Sequence, residues 1–341
     1  MKRIPQLDSV RAIAILAVFM HHALGVKLMW TGVDLFFILS GFLITNVLLE
    51  AKHHSLAGYF AHFYVRRARR ILAPYLLTLV VVSLFVGIAW LHYWYYYVLL
   101  TNFILPLHIP HPKAFNALWS LAVEEQFYLV WPFAVYFLSE RRLRHFSILL
   151  IALAPLLRGV LHFQQDWPIY TLTPFRMDLL ATGALICLVW RQNPEWIRRR
   201  GPQIGFPLMA LGLATLALLG RFGVITYGNT RVGNVLIYEA SLVLYLGFML
   251  YALSGWRVGW LRARWLRYIG TISYTMYLIH LGVITLLGAW LKGVPMALAA
   301  LLMTVIYASL SWFLMEKRLL QAGSRAKSAK LVAQPQETAA S

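Results

Sequence analysis

The sequence has one cysteine, few acidic residues and little charge. Among its 341 residues there are 12 Asp and Glu, and 13% of the residues are charged. The single cysteine, Cys187, lies in an apolar run, which excludes a disulfide framework and a thiolate metal site. The histidines show no metal-ligand spacing with carboxylates, and neither a Gly-x-Ser-x-Gly elbow nor a phosphate-cradling glycine loop occurs. We therefore expect no metal ion and none of the chemistries that those motifs support.

Apolar residues make up most of the chain. Hydrophobic residues account for 60% of it, mean hydropathy is +0.67, and several apolar runs reach the ~18 residues that a membrane span requires. These properties predict an all-α polytopic membrane protein whose main partner is the lipid bilayer. The net charge of +19 does not indicate nucleic acid binding, because the cations stand in short clusters between the apolar runs.

About ten transmembrane helices in one bundle are predicted from the apolar runs. The runs cover about 10–26, 34–50, 71–91, 118–138, 146–161, 174–190, 203–220, 235–253, 270–290 and 296–315. With the N-terminus inside, the basic clusters fall on the cytoplasmic side, and the Lys and Arg left outside are Lys27, Lys113, Arg221, Arg231 and Lys292. This asymmetry predicts that both termini are cytoplasmic.

Two stretches are not predicted to cross the membrane. Residues 92–117 are aromatic at first and then contain Pro and His, and an eleventh span there would put every later basic cluster outside. We predict an outer interfacial or re-entrant segment. Residues 1–320 then form the membrane domain. Residues 321–341 are small, polar and without periodicity, which predicts a disordered cytoplasmic tail.

The first apolar run carries an ionisable residue near each end. Arg11 and His22 are eleven residues apart, about 20° past three helical turns, so they lie on one face of the helix. The helical rise separates them by roughly 16 Å, about half of the hydrocarbon core. Ionisable residues within a membrane helix are costly and so indicate a functional site. The alternative is that Arg11 lies at the lipid interface and His22 at the outer surface.

Other apolar runs also contain polar residues. Asp34 opens the second run, where it either caps the helix or meets His22, since a short connection makes the two helices neighbours. Ser40–Gly41 predicts a close helix approach. The adjacent carboxylates Glu124–Glu125 diverge by about 100°, which directs one to the interior of the bundle and the other to its rim.

Three more sites stand out. Arg176 and Asp178 are a candidate ion pair, structural or functional, at the outer end of the sixth run. His280 lies midway through the ninth run. A cluster of four arginines follows the second run; it anchors the inner face and, since arginine binds phosphate bidentately, is also a candidate donor site. These are Arg66, Arg67, Arg69 and Arg70.

Taken together, these stretches resemble the acyltransferase-3 family of integral membrane acyltransferases. The resemblance covers roughly residues 3–318. It is carried by Arg11 and His22, Asp34-Leu-Phe-Phe-Ile-Leu-Ser-Gly-Phe-Leu, Phe63-Tyr64-Val-Arg66-Arg67, Trp119-Ser120-Leu121, Glu124-Glu125-Gln126-Phe127-Tyr128, Ser273-Tyr274 and Tyr277-Leu278-Ile279-His280. It implies transfer of an acyl group, usually acetyl, from cytosolic acyl-coenzyme A to a hydroxyl of a glycan beyond the bacterial cytoplasmic membrane. The acyl-coenzyme A is a donor substrate, and no permanently bound cofactor is expected.

The resemblance and the residue chemistry together suggest roles. Acyl transfer to a hydroxyl needs a general base and positive groups for the donor phosphates and the oxyanion. His22 is the expected base, and the expected donor site is the arginine cluster. The remaining catalytic candidates are Arg11, Asp34, Glu124 and Glu125, with Asp34 or Glu124 orienting His22 or holding the acceptor. Candidate substrate-binding residues are Trp119, Ser120, Arg176, Asp178, Tyr277 and His280.

The sequence departs from the family pattern at two points. Glu316 lacks the proline that often follows two residues later, and no segment resembles the hydrolase-like domain that some members carry. The membrane domain is therefore expected to work alone or with a separate partner. The competing function is a polytopic transporter or flippase, because interior ionisable residues also mark substrate pathways. A scaffold subunit is a third possibility, but it does not explain Arg11, His22 and the two glutamates together.

Overall fold

The computed structural model describes residues 4–161, 167–224 and 230–321. Within these ranges the chain forms helices and short connections, without a β-strand. The helices are α1 (Gln6–Leu24), α2 (Gly32–Ala51), α3 (Leu56–Val86), α4 (Leu118–Phe137), α5 (Glu140–Val160), α6 (Trp167–Thr171), α7 (Met177–Gln192), α8 (Pro194–Arg221), α9 (Arg231–Ser254), α10 (Arg264–Leu287) and α11 (Gly293–Ser311). A π-helical turn, Trp312–Glu316, continues α11. The predicted tail from residue 322 onward lies outside the described residues.

Eight of the described helices are long and apolar enough to cross a membrane, which confirms the prediction of an all-α polytopic membrane protein. They are α1, α2, α3, α5, α8, α9, α10 and α11. The other two predicted spans coincide with α4, which carries three consecutive polar residues at 124–126, and with α7. Helix α7 has 16 residues, which span only about 24 Å. The count of ten crossings stays a prediction.

Helix α3 differs from the predicted third span. We predicted a start at residue 71, but the helix begins at Leu56, where the Ser55 hydroxyl accepts a hydrogen bond from the Gly58 N–H at 3.3 Å. Its 31 residues extend for about 46 Å, well beyond a hydrocarbon core of about 30 Å. The arginine cluster therefore lies within a continuous helix and not in a loop, so its members point in fixed directions.

The segment at 92–117 contains no spanning helix, as predicted. Short 3-10 helices interrupt it, and the aromatic side chains of Tyr96 and Phe115, with Trp90 just before the segment, are buried against residues of α3 and α10. The Tyr75 hydroxyl of α3 donates a hydrogen bond to the Tyr96 carbonyl at 2.9 Å. The segment is thus held firmly against the bundle, whereas its depth in the bilayer stays a prediction.

Glycines bring the helix backbones at the centre into direct contact. A Cβ on Gly41 of α2 would lie 1.9 Å from the Leu180 carbonyl oxygen of α7. A Cβ on Gly270 of α10 would lie 1.7 Å from the Asp8 carbonyl oxygen of α1. The predicted close approach at Gly41 is confirmed, and these two contacts set the positions of the helices that form the site.

Replacing Gly41 with alanine is expected to destabilise the bundle. The methyl group would have to displace the backbone of α7, and overpacking of this kind costs about 1–3 kcal/mol or more. The matched control is Gly259→Ala, because nothing lies within 4 Å of a Cβ at that exposed position. The thermal unfolding midpoint in detergent should fall for Gly41→Ala only. Equal midpoints for the two variants would contradict the packing described here.

Candidate active site

A cavity of about 210 Å³ lies between α1, α2, α3, α4 and α10. Its wall is apolar along α2, whereas its ionisable groups come from the other helices: Arg11, Arg67, Arg70 and Glu124. Three positive groups and one carboxylate therefore face one cavity. This combination suits a polyanionic ligand, since arginine binds phosphate in a bidentate geometry.

Arg67 is fixed within this cavity by two partners on α4. One guanidinium nitrogen, Nη2, lies 3.2 Å from Oε1 of Glu125, and the guanidinium carbon lies 3.7 Å from the centre of the Tyr128 ring. Both side chains of the ion pair are about one-fifth exposed. The stacked, paired arrangement limits the motion of Arg67 in the cavity wall.

Glu124 faces the interior, and its two oxygens are each hydrogen-bonded. The Ser40 hydroxyl donates to Oε1 at 2.7 Å, and the Tyr128 hydroxyl donates to Oε2 at 3.1 Å. Glu124 therefore points inward, while Glu125 pairs with Arg67 nearer the rim, as the predicted divergence of adjacent helix positions requires. Arg11 lies in the same wall and forms an ion pair with Asp8, one turn earlier, at 3.3 Å.

The second part of the site is a pair of histidines. Nδ1 of His22, near the C-terminal end of α1, lies 3.1 Å from Nε2 of His280, and Nδ1 of His280 lies 2.6 Å from the Tyr277 carbonyl oxygen. His280 is fully buried and His22 is half-buried. His21 points elsewhere, with its Nδ1 3.1 Å from the Val26 carbonyl oxygen.

Tyr277 connects the cavity to the histidine pair. It lines the cavity, and its ring centre lies 5.4 Å from that of His280. Its hydroxyl donates to the Ala117 carbonyl at 3.0 Å and is hydrogen-bonded to the Ser120 hydroxyl at 2.5 Å. His22 itself does not line the cavity, so Tyr277, which lines it and contacts His280, is a link between the cavity and the histidine pair.

Asp34 is fully buried and does not cap α2. Its carboxylate accepts hydrogen bonds from Arg176 and, at 2.6 Å, from the Ser241 hydroxyl. The expectation that Asp34 or Glu124 orients His22 is therefore wrong in this structure, since each carboxylate is bonded elsewhere and His280 holds His22. Five aromatic rings surround the Arg176 guanidinium within about 6 Å, Tyr238 being nearest at 4.5 Å. The others are Trp30, Phe37, Trp119 and Tyr170.

Arg176 and Asp178 do not pair with each other, contrary to our expectation. Asp178 binds Arg158 of α5 at 2.6 Å, and Arg158 also binds Glu239 of α9 at 2.5 Å and the Phe175 carbonyl oxygen at 2.5 Å. Arg176, which precedes α7, and Asp178, in its first turn, thus direct their charges to different neighbours. The network around Asp34 and the network around Arg158 join α2, α5, α7 and α9 outside the cavity wall.

Replacing Arg176 with methionine is expected to cost about 3–5 kcal/mol of stability, because Asp34 would be left buried without its cation. The double variant Asp34→Asn with Arg176→Met should recover most of that loss, since no buried charge remains. Arg198→Met, which breaks an exposed pair with Glu195, should cost at most about 1 kcal/mol. Thermal midpoints of the purified proteins measure all three. No recovery in the double variant would contradict a simple ion-pair role.

The predicted site residues thus separate into distinct groups. The cavity has Arg11, Arg67, Arg70, Glu124, Ser120 and Tyr277 in its wall, with Glu125 directly behind. Arg66 and Arg69 are exposed and do not line it. Trp119, Asp34, Arg176 and Asp178 belong to the buried networks outside the cavity wall. Sequence reasoning did not assign roles to Arg158, Glu239 and Ser241, although a charged residue within an apolar run was a signal for the first two.

The comparisons with known proteins agree on one family. The family model described as an acyltransferase domain matches residues 4–316. The chain is 31% identical to YrhL of Bacillus subtilis (strain 168), over 96% of this chain and 56% of that protein. It is 30% identical to the peptidoglycan O-acetyltransferase OatA of Listeria monocytogenes, over 84% of this chain and 50% of that protein.

A third relative is the O-acetyltransferase OatA of Staphylococcus aureus (strain NCTC 8325), which is 26% identical over 95% of this chain and 58% of that protein. The chain therefore spans about half the length of the curated relatives it matches. No solved structure matches it.

Proposed function

The chain belongs to the acyltransferase-3 family, and from that premise we propose that it is a membrane O-acetyltransferase. In this proposal it moves an acetyl group from cytosolic acetyl-coenzyme A to a glycan hydroxyl on the far side of the bacterial cytoplasmic membrane. The observation that supports the proposal is that α1 contributes a side chain to each part of the site. Its inner part supplies Arg11 to an arginine-rich cavity, and its outer end supplies His22 to a histidine pair.

We propose that the cavity receives the donor. Coenzyme A carries phosphates at one end and a thioester at the end of a long flexible arm. Arg11, Arg67 and Arg70 are placed to bind phosphate oxygens, and the apolar wall along α2 suits the arm. The exposed Arg66 and Arg69 then serve mainly as cytoplasmic anchors, by the positive-inside rule.

We propose His22 as the general base. The acceptor hydroxyl attacks the thioester carbonyl carbon while its proton passes to His22. The carbon–sulfur bond then breaks, and the leaving thiolate takes the proton back. The products are the acetylated hydroxyl and free coenzyme A, with His22 neutral again, so direct transfer needs no acyl-enzyme intermediate.

The distance along α1 fits transfer through the membrane. Arg11 and His22 are separated by roughly 16 Å of helix rise, a span that an extended pantetheine arm covers. Tyr277 lines the cavity and contacts His280, so it lies on the route by which the thioester would approach His22. The acceptor would enter from the opposite side. The apolar runs predict ten crossings, and the charge pattern predicts cytoplasmic termini. Together they give this orientation.

The acceptor class is proposed from the relatives. The Listeria monocytogenes protein is named for peptidoglycan, a polymer of amino sugars rich in free hydroxyls. We therefore propose a peptidoglycan-type glycan as the acceptor. Family membership favours the enzyme over a transporter, although both would place ionisable residues inside a bundle.

The test uses purified protein in proteoliposomes with acetyl-labelled acetyl-coenzyme A and soluble peptidoglycan oligosaccharides as the acceptor. Thiol release should rise when the oligosaccharide is added, and the label should appear on the sugar as a base-labile ester. A transporter would move label or sugar across the bilayer without releasing thiol. That result, with the protein correctly folded, would refute the proposed function.

A further inference from the structure

The contact between the two histidines determines where their protons lie. Nδ1 of His280 is 2.6 Å from the Tyr277 carbonyl oxygen. A carbonyl oxygen only accepts hydrogen bonds, so Nδ1 of His280 must carry a proton. In a neutral imidazole the other nitrogen, Nε2, is then a bare acceptor, and it is this atom that faces Nδ1 of His22 at 3.1 Å.

The same reasoning extends to His22. A bare Nε2 on His280 requires that Nδ1 of His22 donates, which leaves Nε2 of His22 with a free lone pair. The Tyr277 carbonyl thus sets the tautomer of His280, and His280 in turn sets the tautomer of His22. The outcome is a histidine whose unprotonated nitrogen points away from its partner, the state that a general base needs.

Among the described residues, no carboxylate accepts a hydrogen bond from a ring nitrogen of His22. The Asp34 oxygens are bonded to Arg176 and Ser241, and both Glu124 oxygens accept hydrogen bonds from hydroxyls. His21 touches the His22 ring at 5.0 Å between centres, but its Nδ1 lies against the Val26 carbonyl oxygen. His280 is therefore the side chain that holds a ring nitrogen of His22, and the Val18 backbone also has a hydrogen bond with the His22 ring.

We infer that His280 is a positioning residue, which acts through His22 by holding it in the tautomer that leaves Nε2 free. This inference rests on the proposed function, in which His22 is the base. When Nε2 of His22 accepts the hydroxyl proton, Nδ1–H continues to donate to His280. The proton stays on His22 and is returned from the same atom to the leaving thiolate, so His280 gains and loses none.

Two variants of His280 separate this role from simple packing. His280→Leu fills the space but offers no acceptor, so kcat should fall by ~10²-fold or more while the KM for acetyl-coenzyme A changes little. His280→Gln offers an amide oxygen to Nδ1–H of His22 and should restore kcat to within about tenfold of wild type. The matched control, His21→Leu, removes a neighbouring ring that does not bind a nitrogen of His22 and should leave kcat nearly unchanged.

A second readout does not depend on turnover. Nitrogen-15 NMR of histidine-labelled protein, with the His22 signals assigned by their loss in His22→Gln, reports which ring nitrogen carries the proton. Wild type and His280→Gln should show a protonated Nδ1 and a bare Nε2 for His22, and His280→Leu should not.

A protonated Nε2 in neutral wild-type His22 would overturn the inference. So would normal kcat in His280→Leu, or a folded His280→Gln as inactive as the leucine variant. If wild type itself transfers no acetyl group, the proposed function fails, whereas the NMR result still decides whether His280 sets the tautomer of His22.

Discussion

Acetyl transfer should fall by ~10²–10⁴-fold when His22 is replaced with alanine, because the variant has no base at the point where the hydroxyl must lose its proton. Expression, membrane insertion and the KM for acetyl-coenzyme A should stay close to wild type, since His22 does not line the cavity proposed for the donor. The measurement is thiol release from acetyl-coenzyme A in proteoliposomes that contain the glycan acceptor.

His21→Ala is the matched control for that prediction. The two histidines are adjacent on α1, but His21 binds the Val26 carbonyl oxygen outside the pair that His22 forms with His280. The control should retain most of the activity. Near-normal transfer by a well-folded His22→Ala would remove the base from the mechanism, and equal losses in both variants would indicate damage to the helix end instead.

Arg70→Gln should raise the KM for acetyl-coenzyme A by about ten- to a hundredfold, with a smaller change in kcat. Arg70 lines the cavity, and a hydrogen bond to a charged group contributes about 1.5–3 kcal/mol. We choose Arg70 in preference to Arg67, because removing Arg67 would also leave Glu125 without its ion-pair partner. Donor saturation curves at fixed acceptor measure the effect.

Arg69→Gln controls for the loss of one positive charge. It lies beside Arg70 in α3 and is likewise exposed, but it does not line the cavity. Its KM for the donor should change by less than about threefold. If the two variants behave alike, the cluster acts through membrane topology or general attraction of the donor, and the cavity is not the phosphate site.

The apolar runs and the basic clusters predicted the helical fold well. An apolar run reports burial or contact with lipid directly, so a helix was expected wherever one occurred, and each predicted run coincides with a helix. The starting point of α3 was missed because its first 15 residues contain a histidine and four arginines, so hydropathy does not extend the apolar run back to Leu56, where the Ser55 side chain caps the helix.

The site was predicted only in part, for a different physical reason. Residues on one helix have a fixed spacing, so Arg11 and His22 were related from the sequence alone. Which side chain meets His22 depends on how α1 packs against α10, and that packing rests on a backbone contact at Gly270. The same limit explains why Arg176 and Asp178 were expected to pair with each other, whereas helix packing gives each a different partner.

The central claim is that donor and acceptor meet inside the bundle from opposite sides of the membrane. Membrane vesicles of known orientation, with peptidoglycan oligosaccharide sealed on the outer-surface side, test it when labelled acetyl-coenzyme A is added to the cytoplasmic face. We expect labelled oligosaccharide on the sealed side and no coenzyme A there, and neither label nor thiol release with His22→Ala. Labelling only when both substrates share one compartment would contradict the through-membrane route.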